Sequence, residues 1–560
     1  MPENTPTPSS KKHISPLWLS LLMFLLGGCG LAYEYTLSKI ASDLLGNSVQ
    51  QWATMIATML FAMGLGADIQ KRVGEKALAD LLLRSQLWLA ILGGCGPLIL
   101  IVTFAEMPEQ YIFVQYLLAL IVGTLIGFEI PLIMRLNESE KPDMRMNLAQ
   151  VLKMDYIGAL LGALVWTFLM IRFLGIERIS FLLGAITLVA AAVSAYIFRH
   201  RLERKRLIAL EFVIALSLVV GGLIYGKDLA LKAEQRLYRD PIVFSETTPY
   251  QHIVLTRDRR DTLRCYINGH LQFDSDDEFI YHEQLVHPVM ELAPQATSIL
   301  VLGGGDGLAV RELLKYPRVT EITLVDIDPK MTDLAAKNKD FVSLNHGSLT
   351  DASVNVQPSS GISEGANFTL QELNHRRALH QETEPTADLH ILNVDAASFV
   401  RSAPGSYDVM ILDFPDPSSP DLAKLYGRPF YEALKDHLAP GGFIVQQSGS
   451  PFHAKEAFLC VGRTLAASGF QTLPYHDNVP SFGEWGWWLA WKNTGSDEQA
   501  IARRLRKTEK LTAPTLYLTP GLVRASLEFG KGQLSSKNTD ITSLTQPTIY
   551  HHYLEGWQTR

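Results

Sequence analysis

The chain has 560 residues, of which 47% are hydrophobic and 19% are charged, and its formal net charge is -7. An acidic chain without a basic face is a poor partner for nucleic acid and suits small cationic ligands better. The apolar residues are concentrated in the first two-fifths of the chain, which excludes a single soluble globule and a disordered chain. The 4 cysteines are too few and too dispersed for a disulfide framework or a CxxC metal site.

Seven apolar runs follow a short flexible tail at residues 1–16. Each run is close to the ~20 residues that an α-helix needs to cross the hydrocarbon layer. Residues 17–225 are therefore predicted to form an α-helical transmembrane bundle of about seven spans, and we expect a multi-pass protein of the cell (inner) membrane with the lipid bilayer as a partner. The runs are 17–37, 49–66, 87–104, 111–134, 151–171, 179–198 and 207–225.

After Tyr225 the pattern becomes that of a soluble α/β protein. Short strands with turn residues come first, and apolar strands that alternate with helical segments follow, which predicts a parallel sheet flanked by helices in a Rossmann-like (methyltransferase-type) domain. A polar stretch interrupts this alternation as a loop insertion. The predicted divisions are a linker at 226–241, a small β-strand subdomain at 242–297, the Rossmann-like domain at 298–495 with its insertion at about 357–384, and a C-terminal extension at 496–560.

Four aspartates fall at the carboxyl ends of predicted strands, where open parallel sheets bind their ligands. The first lies in a glycine turn, Gly303 to Gly307, which lets a nucleoside approach the backbone. An acidic residue in such a turn repels a phosphate and attracts a cation. Four carboxylates in one crevice raise one another's pKa, so we infer that a positively charged ligand compensates them. The four are Asp306, Asp326, Asp395 and Asp413.

Taken together, five motifs resemble those of the spermidine synthases, the polyamine aminopropyltransferases. The resemblance covers about residues 242–491, and the seven apolar runs are similar to the membrane-embedded bacterial branch of that family. The motifs are Tyr250-Gln251, Asp277-Glu278 with Tyr281-His282-Glu283, Gly303 to Gly307 around Asp306, Asp326-Ile327-Asp328, and Asp413 with Asp416-Pro417.

The resemblance implies transfer of an aminopropyl group from decarboxylated S-adenosylmethionine, a co-substrate, to putrescine, which gives spermidine and methylthioadenosine. It implies a homo-oligomer, dimer or tetramer, without a permanently bound cofactor or a metal. Asp413 matches the proton acceptor. The residues that match the polyamine site are His282, Asp306, Asp416 and Tyr281, and those that match the nucleoside site are Gln251, Gly303, Gly305, Asp326, Asp395, Ala396 and Pro420.

Two departures from the family pattern bear on the substrates. Ala396 stands where the family often has glycine, and Phe482 stands where soluble members place a tyrosine near the distal amine. Tryptophans beside Phe482 either grip a diamine by cation–π contact or pack in the core. An S-adenosylmethionine-dependent methyltransferase and a polyamine transporter or sensor with a non-catalytic binding domain are the alternative functions.

For single residues, structural interpretations stay open. Asp413 can cap a turn, His282 can be structural, and Asp328 is expected to cap the helix that starts at Pro329. In the helical half, four carboxylates either line a path or dock for a polyamine cation, or some of them lie at the membrane interface or pair with Lys39, Arg135 and Lys153. They are Glu34, Glu129, Asp155 and Glu211.

Lysine and arginine cluster in alternate connections between the runs, which marks those connections as cytoplasmic. An internal amino terminus followed by seven crossings would leave everything after Tyr225 outside, where substrates would have to be delivered. Either one run is re-entrant, or the count is wrong, or the chemistry takes place outside.

Overall fold

This computed structural model describes residues 16–45, 48–138, 144–350, 355–357, 387–403, 405–493, 495 and 497–558. Nearly all of the predicted tail and of the predicted insertion lies outside the described residues. The chain divides into two compact units, Met1–Pro249 and Tyr250–Arg560.

The first unit is built from long apolar helices. Seven helices of its described part are long and apolar enough to cross a membrane by length and composition, and they coincide with the seven predicted runs. The α-helices are α1 (Pro16–Leu45), α2 (Ser48–Ile69), α3 (Leu78–Glu106), α4 (Tyr111–Glu138), α5 (Met144–Val165), α6 (Ile171–Phe173), α7 (Ile176–Phe198) and α8 (Lys205–Glu234). The short α6 continues α5 after a π-helical turn at Trp166–Met170, so these two form one of the seven candidate spans.

Glycines allow two of these helices to approach backbone to backbone. α1 packs along α5, and a Cβ at Gly158 would lie 2.0 Å from the carbonyl oxygen of Phe24, while one at Gly162 would lie 2.5 Å from that of Gly28. Small residues at such contacts permit the close packing on which helix association in an apolar surrounding depends.

Three of the carboxylates predicted within the apolar runs, Glu34, Glu129 and Glu211, differ in whether a basic side chain pairs with them. Glu211 forms a salt bridge at 2.9 Å with Arg84, which is not one of the three basic partners that the pairing hypothesis names. Glu34 and Glu129 are buried, and each has one carboxylate oxygen without a hydrogen-bond partner in the described part of the chain. Arg135, one of the proposed partners, instead binds Glu75 and the backbone carbonyl groups of residues 70 and 73. Pairing therefore accounts for Glu211 and leaves Glu34 and Glu129 unexplained.

The second unit confirms the predicted Rossmann-like α/β architecture. Its main sheet has eight strands in the order β11-β12-β10-β9-β5-β6-β8-β7, and the pairs from β10 through β9, β5, β6 and β8 to β7 are parallel. One strand, β1 (Ile242–Thr247), belongs to the first unit. The strands of the second unit are β2 (His252–Arg257), β3 (Leu263–Ile267), β4 (His270–Asp274), β5 (Ser298–Gly303), β6 (Glu321–Val325), β7 (Asn355–Gln357), β8 (Asp388–Leu392), β9 (Tyr407–Asp413), β10 (Leu438–Gln447), β11 (Phe470–Val479) and β12 (Gly483–Lys492).

Continuous apolar runs explain the parallel strands. Ile299, Leu300, Val301 and Leu302 of β5 have no exposed surface, because helices cover both faces of a parallel sheet. The helices of this unit are α9 (Glu278–Leu292), α10 (Leu308–Leu313), α11 (Pro329–Lys337), α12 (Lys339–Leu344), α13 (Ala396–Ser402), α14 (Pro420–Ala423), α15 (Arg428–His437), α16 (Lys455–Ala467), α17 (Glu498–Arg506), α18 (Pro520–Ala525) and α19 (Thr548–Gln558).

The segment that contains Phe482 is part of a β-hairpin. Residues 479–488 form the end of β11, a tight turn and most of β12, which pair as an antiparallel hairpin. Tryptophans and other apolar residues of β12 are buried at the sheet. Burial of that aromatic surface favours the strand over the loop that the proline and glycines suggest.

Candidate active site

The glycine turn after β5 is folded tightly against two neighbouring strand ends. Gly303, Gly304 and Gly307 have φ values of 81°, 66° and 79°, in the left-handed region that favours glycine. A Cβ at Gly303 would lie 2.1 Å from the carbonyl oxygen of Asp413, and one at Gly305 would lie 2.5 Å from Oδ2 of Asp326. The absence of side chains thus brings the turn and two of the predicted aspartates to one edge of the sheet.

Asp413 ends β9 and accepts a hydrogen bond from the hydroxyl group of Tyr281, with 2.6 Å between the oxygens. Its carboxylate is partly buried. Burial raises its pKa to about 6, assisted by the charge of Asp306 and opposed by His282 and the Tyr281 hydrogen bond. A carboxylate with such a pKa is largely ionised at neutral pH and is a better proton acceptor than an ordinary aspartate.

Behind Tyr281, three charged groups form a buried chain. Arg311 donates two hydrogen bonds to Glu278, at 2.6 and 3.0 Å, and Nδ1 of His282 lies 2.7 Å from the same carboxylate. Burial disfavours the charged imidazole, but the hydrogen bond and charge of Glu278 outweigh it and raise the pKa of His282 to about 9. His282 therefore carries a positive charge at neutral pH, next to the carboxylates of Asp306 and Asp413.

Asp306 and Asp326 occupy the turn itself. Oδ1 of Asp306 accepts from the backbone N–H of Leu308, at 2.9 Å, and burial raises the pKa of this carboxyl group. Asp326 accepts from the backbone N–H groups of Gly305 and Asp328, at 3.0 and 2.8 Å. Burial raises the pKa of Asp326 to about 7 despite these bonds. Both carboxylates remain partly exposed, so a ligand can reach them.

Asp416, the last of the aspartates predicted for the site, lies in the loop after β9. Its Oδ1 accepts from Nε2 of Gln447 at 3.2 Å. Burial raises the pKa of Asp416 to about 6, although Gln447 and Tyr553 act to lower that pKa. Gln447 ends β10, so the rule that strand ends carry the site would have identified it. No sequence signal identifies Tyr553.

The expectation that a positively charged ligand compensates all four strand-end carboxylates is wrong for Asp395. Nζ of Lys424 lies 2.7 Å from its Oδ2, and its Oδ1 caps α13 by accepting from the N–H of Ser398 at 3.0 Å. Burial acts to raise the pKa of Asp395, but the Lys424 hydrogen bond and the cap lower it overall. This carboxylate is compensated within the chain.

The comparisons with known proteins agree with this geometry. The family model for the spermine/spermidine synthase domain matches residues 278–374 and 376–501. A polyamine aminopropyltransferase 2 of Ralstonia nicotianae is 37% identical over 96% of this chain and 98% of its own length. A polyamine aminopropyltransferase 1 of Streptomyces coelicolor is 34% identical over 99% of this chain and 97% of its own length. The chain belongs to the polyamine aminopropyltransferase family.

Membership places the chain among the transferases of polyamine biosynthesis. Among solved structures, a spermidine synthase from Thermotoga maritima is similar with a TM-score of 0.39 and 23% identity, over 52% of this chain and 87% of that chain.

The remaining residues predicted from the aminopropyltransferase motifs lie at the ends of elements. Gln251 immediately precedes β2, Ala396 is the first residue of α13, and Pro420 is the first residue of α14. The φ angle of Ala396 is not positive, so the backbone does not require the glycine that is frequent in the family. Asp328 is fully buried and accepts from the N–H of Lys330 at 3.0 Å, which confirms its role as a helix cap.

Aromatic side chains of the β11–β12 hairpin border Tyr281. The ring of Phe482 lies 6.0 Å from that of Tyr281, and the ring of Trp487 lies 5.7 Å away. Trp487 has no exposed surface, and the indole N–H of Trp488 donates to the carbonyl group of Phe458. Core packing therefore accounts for both tryptophans, while the ring of Phe482 lies beside that of Tyr281.

One group of side chains in the described part of the chain has the spacing of a metal site. Ligand atoms of Glu283, His287 and Glu312 lie within 4.8 Å of one another. Each already has protein partners: Glu283 accepts three backbone N–H groups, and His287 binds Tyr316 and Glu312 through its two nitrogens. The group is a hydrogen-bonded network that links α9, α10 and the C-terminal extension.

Proposed function

We propose that the protein transfers the aminopropyl group of decarboxylated S-adenosylmethionine to putrescine and forms spermidine and methylthioadenosine. The observation that carries this proposal is the Asp413 carboxylate, which is held by Tyr281 against the glycine turn and has a pKa raised to about 6. Family membership supports the reaction class, and the arrangement of aspartates supports two cationic substrates.

The reaction is a displacement at a carbon bonded to a sulfonium. The amine nitrogen forms the new N–C bond, the C–S bond breaks, and its electron pair remains on sulfur, which becomes a neutral thioether. An alkyl amine has a pKa of about 10 and is mostly protonated at neutral pH, so a base must free its lone pair. Asp413 accepts that proton. Tyr281 orients the carboxylate for this step.

The other carboxylates hold the two cations in line. Asp306 and Asp416 attract the ammonium groups, and Asp326 accepts hydroxyl groups of the ribose. His282, charged and 2% exposed, acts mainly by keeping Asp306 and Asp413 ionised. The protein supplies orientation and a proton acceptor, and this chemistry calls for no resident cofactor.

Product analysis tests the proposal. The purified full chain is incubated with decarboxylated S-adenosylmethionine and putrescine, and methylthioadenosine and spermidine are measured by chromatography. Asp413→Asn should lower turnover at least about 100-fold, since general-base contributions are of that order. Asp436→Asn, an exposed aspartate on α15, is the matched control. Methylated product without aminopropylated product would assign the protein to the methyltransferases instead.

We further propose that Met1–Pro249 anchors the enzyme in the cell (inner) membrane as a multi-pass domain. Large apolar side chains on its helices face outward, which is unfavourable in water and natural in lipid. Examples are Phe61 at 64%, Phe113 at 69%, Phe168 at 67% and Phe173 at 72% exposure. Retention of the protein in carbonate-washed membranes tests the anchor, and a topology reporter fused after Arg560 tests which side holds the catalytic unit.

A second candidate function, passage or binding of a polyamine cation by the helical unit, is favoured by Glu129. This carboxylate is 3% exposed, its Oε1 has no hydrogen-bond partner among the described residues, and Asp155 is close enough to interact with it electrostatically. A cation between the two would compensate both. Polyamine flux in vesicles with Glu129→Gln, compared with the exposed control Glu109→Gln, tests this; flux equal to that of the parent would eliminate it.

A further inference from the structure

The motif at residues 281–283 contains a residue, Glu283, to which the proposed reaction assigns no role. Its side chain has no exposed surface. Its carboxylate accepts hydrogen bonds from the backbone N–H groups of residues 516, 517 and 518, at 2.5, 3.0 and 2.7 Å. These three residues lie beyond residue 501, where the match to the family domain ends. Hydrogen bonds from N–H groups to a carboxylate are among the stronger ones in proteins, so Glu283 binds this part of the C-terminal extension firmly.

A second carboxylate of α9 binds the same segment, which we call the C-terminal strap (residues 512–518). Glu291 accepts from the backbone N–H of Thr512 at 2.8 Å and from its hydroxyl group at 3.2 Å. Glu283 and Glu291 are about two turns apart on the helix. Between these two contacts the strap therefore follows α9 in the opposite direction, and its residues Ala513 and Leu518 are buried.

The strap and α9 are also joined to the main sheet through Asp477 of β11. Its Oδ1 accepts from the hydroxyl group of Tyr517 at 3.2 Å, and its Oδ2 accepts from Nε2 of Gln284 at 2.6 Å. The hydroxyl group of Tyr475, also on β11, donates to the backbone carbonyl group of Gln284 at 2.8 Å. The position of α9 relative to the sheet is therefore set by hydrogen bonds that include the strap.

The strap and the active site contact opposite sides of α9. Successive residues of an α-helix point about 100° apart, so Glu283 and Tyr281 point about 200° apart. On the active-site side, the hydroxyl group of Tyr281 donates to Asp413 at 2.6 Å. A rotation or shift of α9 would lengthen this bond, and the contacts of Glu283 with the strap oppose such a movement.

We propose that Glu283 is a positioning residue for the proton transfer: by binding the C-terminal strap, it fixes α9 in the orientation in which Tyr281 contacts Asp413. The inference rests on the proposed function, in which Asp413 accepts the proton of the attacking amine. It gives the strap, which lies outside the matched family domain, a role in the geometry of the active site.

Glu283→Gln should disturb this arrangement with little change in side-chain shape. The amide nitrogen of glutamine is a donor, so it cannot accept from the N–H groups that now face that end of the carboxylate. The strap then loses part of its attachment, and α9 is no longer held from behind. A misplacement of about 1 Å can lower a rate about 100-fold, so we expect kcat to fall at least about tenfold.

The pH profile distinguishes positioning from a loss of stability alone. The groups that face Asp413 are Tyr281 and His282 of α9, Asp306 of the glycine turn and Tyr426 of the loop after β9. Both groups on α9 lower the pKa of Asp413, which is about 6. Loss of a hydrogen bond to a charged group corresponds to about one pH unit. The acid limb of kcat/KM should therefore move up by about that amount in Glu283→Gln.

The test measures methylthioadenosine formation by full chains from pH 5 to 9, with decarboxylated S-adenosylmethionine and putrescine. Glu291→Gln is the matched control, because its amide can still bind both the N–H and the hydroxyl group of Thr512. Its profile should be that of the parent. The KM for the sulfonium donor should stay within about twofold in both variants, since Gly305 and Asp326 do not lie on α9.

A second pair of variants changes the strap and leaves α9 intact. The side chain of Leu516 is 79% exposed, while its backbone N–H binds Glu283. Leu516→Pro removes that N–H, whereas Leu516→Ala keeps it and removes only the exposed side chain. Leu516→Pro should move the acid limb in the same direction as Glu283→Gln, and Leu516→Ala should behave as the parent. This pair decides the question by itself if Glu283→Gln does not fold.

The inference would be overturned by an active parent whose acid limb stays in place in folded Glu283→Gln, or by equal profiles of Leu516→Pro and Leu516→Ala. In a Tyr281→Phe background, most of the shift caused by Glu283→Gln should disappear; an undiminished shift would show that Glu283 acts elsewhere. Failure of the proposed function is a different result, because the parent itself would then form no methylthioadenosine.

Discussion

Replacement of Glu278 by glutamine tests the buried charge chain behind Tyr281. The carboxylate joins Arg311 and His282, and the side chains of all three are almost completely buried. The variant keeps the shape of the side chain but leaves two buried cations without their shared anion. Removal of one partner from a buried ion pair costs about 3–5 kcal/mol.

The pKa of His282 gives an independent magnitude. Its rise from an ordinary value of 6.5 to about 9 corresponds to roughly 3 kcal/mol of stability. Because the folded pKa lies above the unfolded one, this contribution is fully present below pH 6.5 and is lost as the pH rises through about 9. In Glu278→Gln the hydrogen bond and the charge of Glu278 no longer raise the pKa of His282, so most of this contribution is lost.

Thermal unfolding of the full chain from pH 6 to 9.5 provides the assay. At pH 6 the melting temperature of the variant should lie about 6–12 °C below that of the parent. This range follows from a loss of roughly 3 kcal/mol in the free energy of unfolding, because each kcal/mol shifts the melting temperature by about 2–4 °C. The difference should shrink toward pH 9.5. Glu432→Gln removes an exposed partner of Arg428 and should change the melting temperature by no more than about 3 °C. A parent whose melting temperature does not fall over this range, or a variant that loses stability equally at every pH, would refute the assignment of a charged His282.

Three further predictions concern the active site. kcat/KM for putrescine should fall as the pH drops through about 6, because Asp413 and Asp416 both gain a proton there; a flat profile down to pH 5 would contradict this. Gly305→Ala should raise the KM for the sulfonium donor at least about tenfold, since its Cβ would lie 2.5 Å from Asp326, whereas Gly221→Ala, with open space at its Cβ, should not. Dialysis against a chelator should leave turnover unchanged, because the ligand atoms of His287 and Glu283 already bind protein groups; loss of activity restored by a metal ion would refute this.

The strand ends can be predicted from the sequence, because the apolar runs and the glycines that mark them are neighbours in the chain. Runs such as Ile299 to Leu302 are apolar over their whole length, which only a sheet covered on both faces accommodates, and the glycines that follow permit the turn. Because ligands bind at the carboxyl ends of parallel strands, the sequence also predicts that Asp326 and Asp413 lie close together at that edge of the sheet. The contact of Tyr281 with Asp413 spans 132 residues, and only its place in a motif pointed to it.

The parts that the sequence did not predict depend on partners far along the chain. Lys424 is 29 residues from Asp395, and nothing in either local pattern indicates that one neutralises the other. The hairpin of β11 and β12 has proline and glycine near its turn, and its strands are stabilised by burial of aromatic side chains rather than by an alternating pattern. The helix α19 lies in the C-terminal extension, where the sequence from residue 507 onward gives no clear signal.

In the proposed reaction, the charges of the site explain how the two cationic substrates bind and how the nucleoside product leaves. Asp395 is compensated by Lys424, and His282 places a positive charge beside Asp306 and Asp413. Burial is the main cause of the raised pKa values of Asp306, Asp326, Asp413 and Asp416, so a positively charged ligand would stabilise their ionised forms. A sulfonium donor and a protonated amine supply the missing positive charge and are attracted together, although they repel each other in solution. Transfer converts the sulfonium into a neutral thioether, so the attraction that held the donor is lost when the bond breaks, and the nucleoside product is released from a site that still attracts a fresh cationic donor.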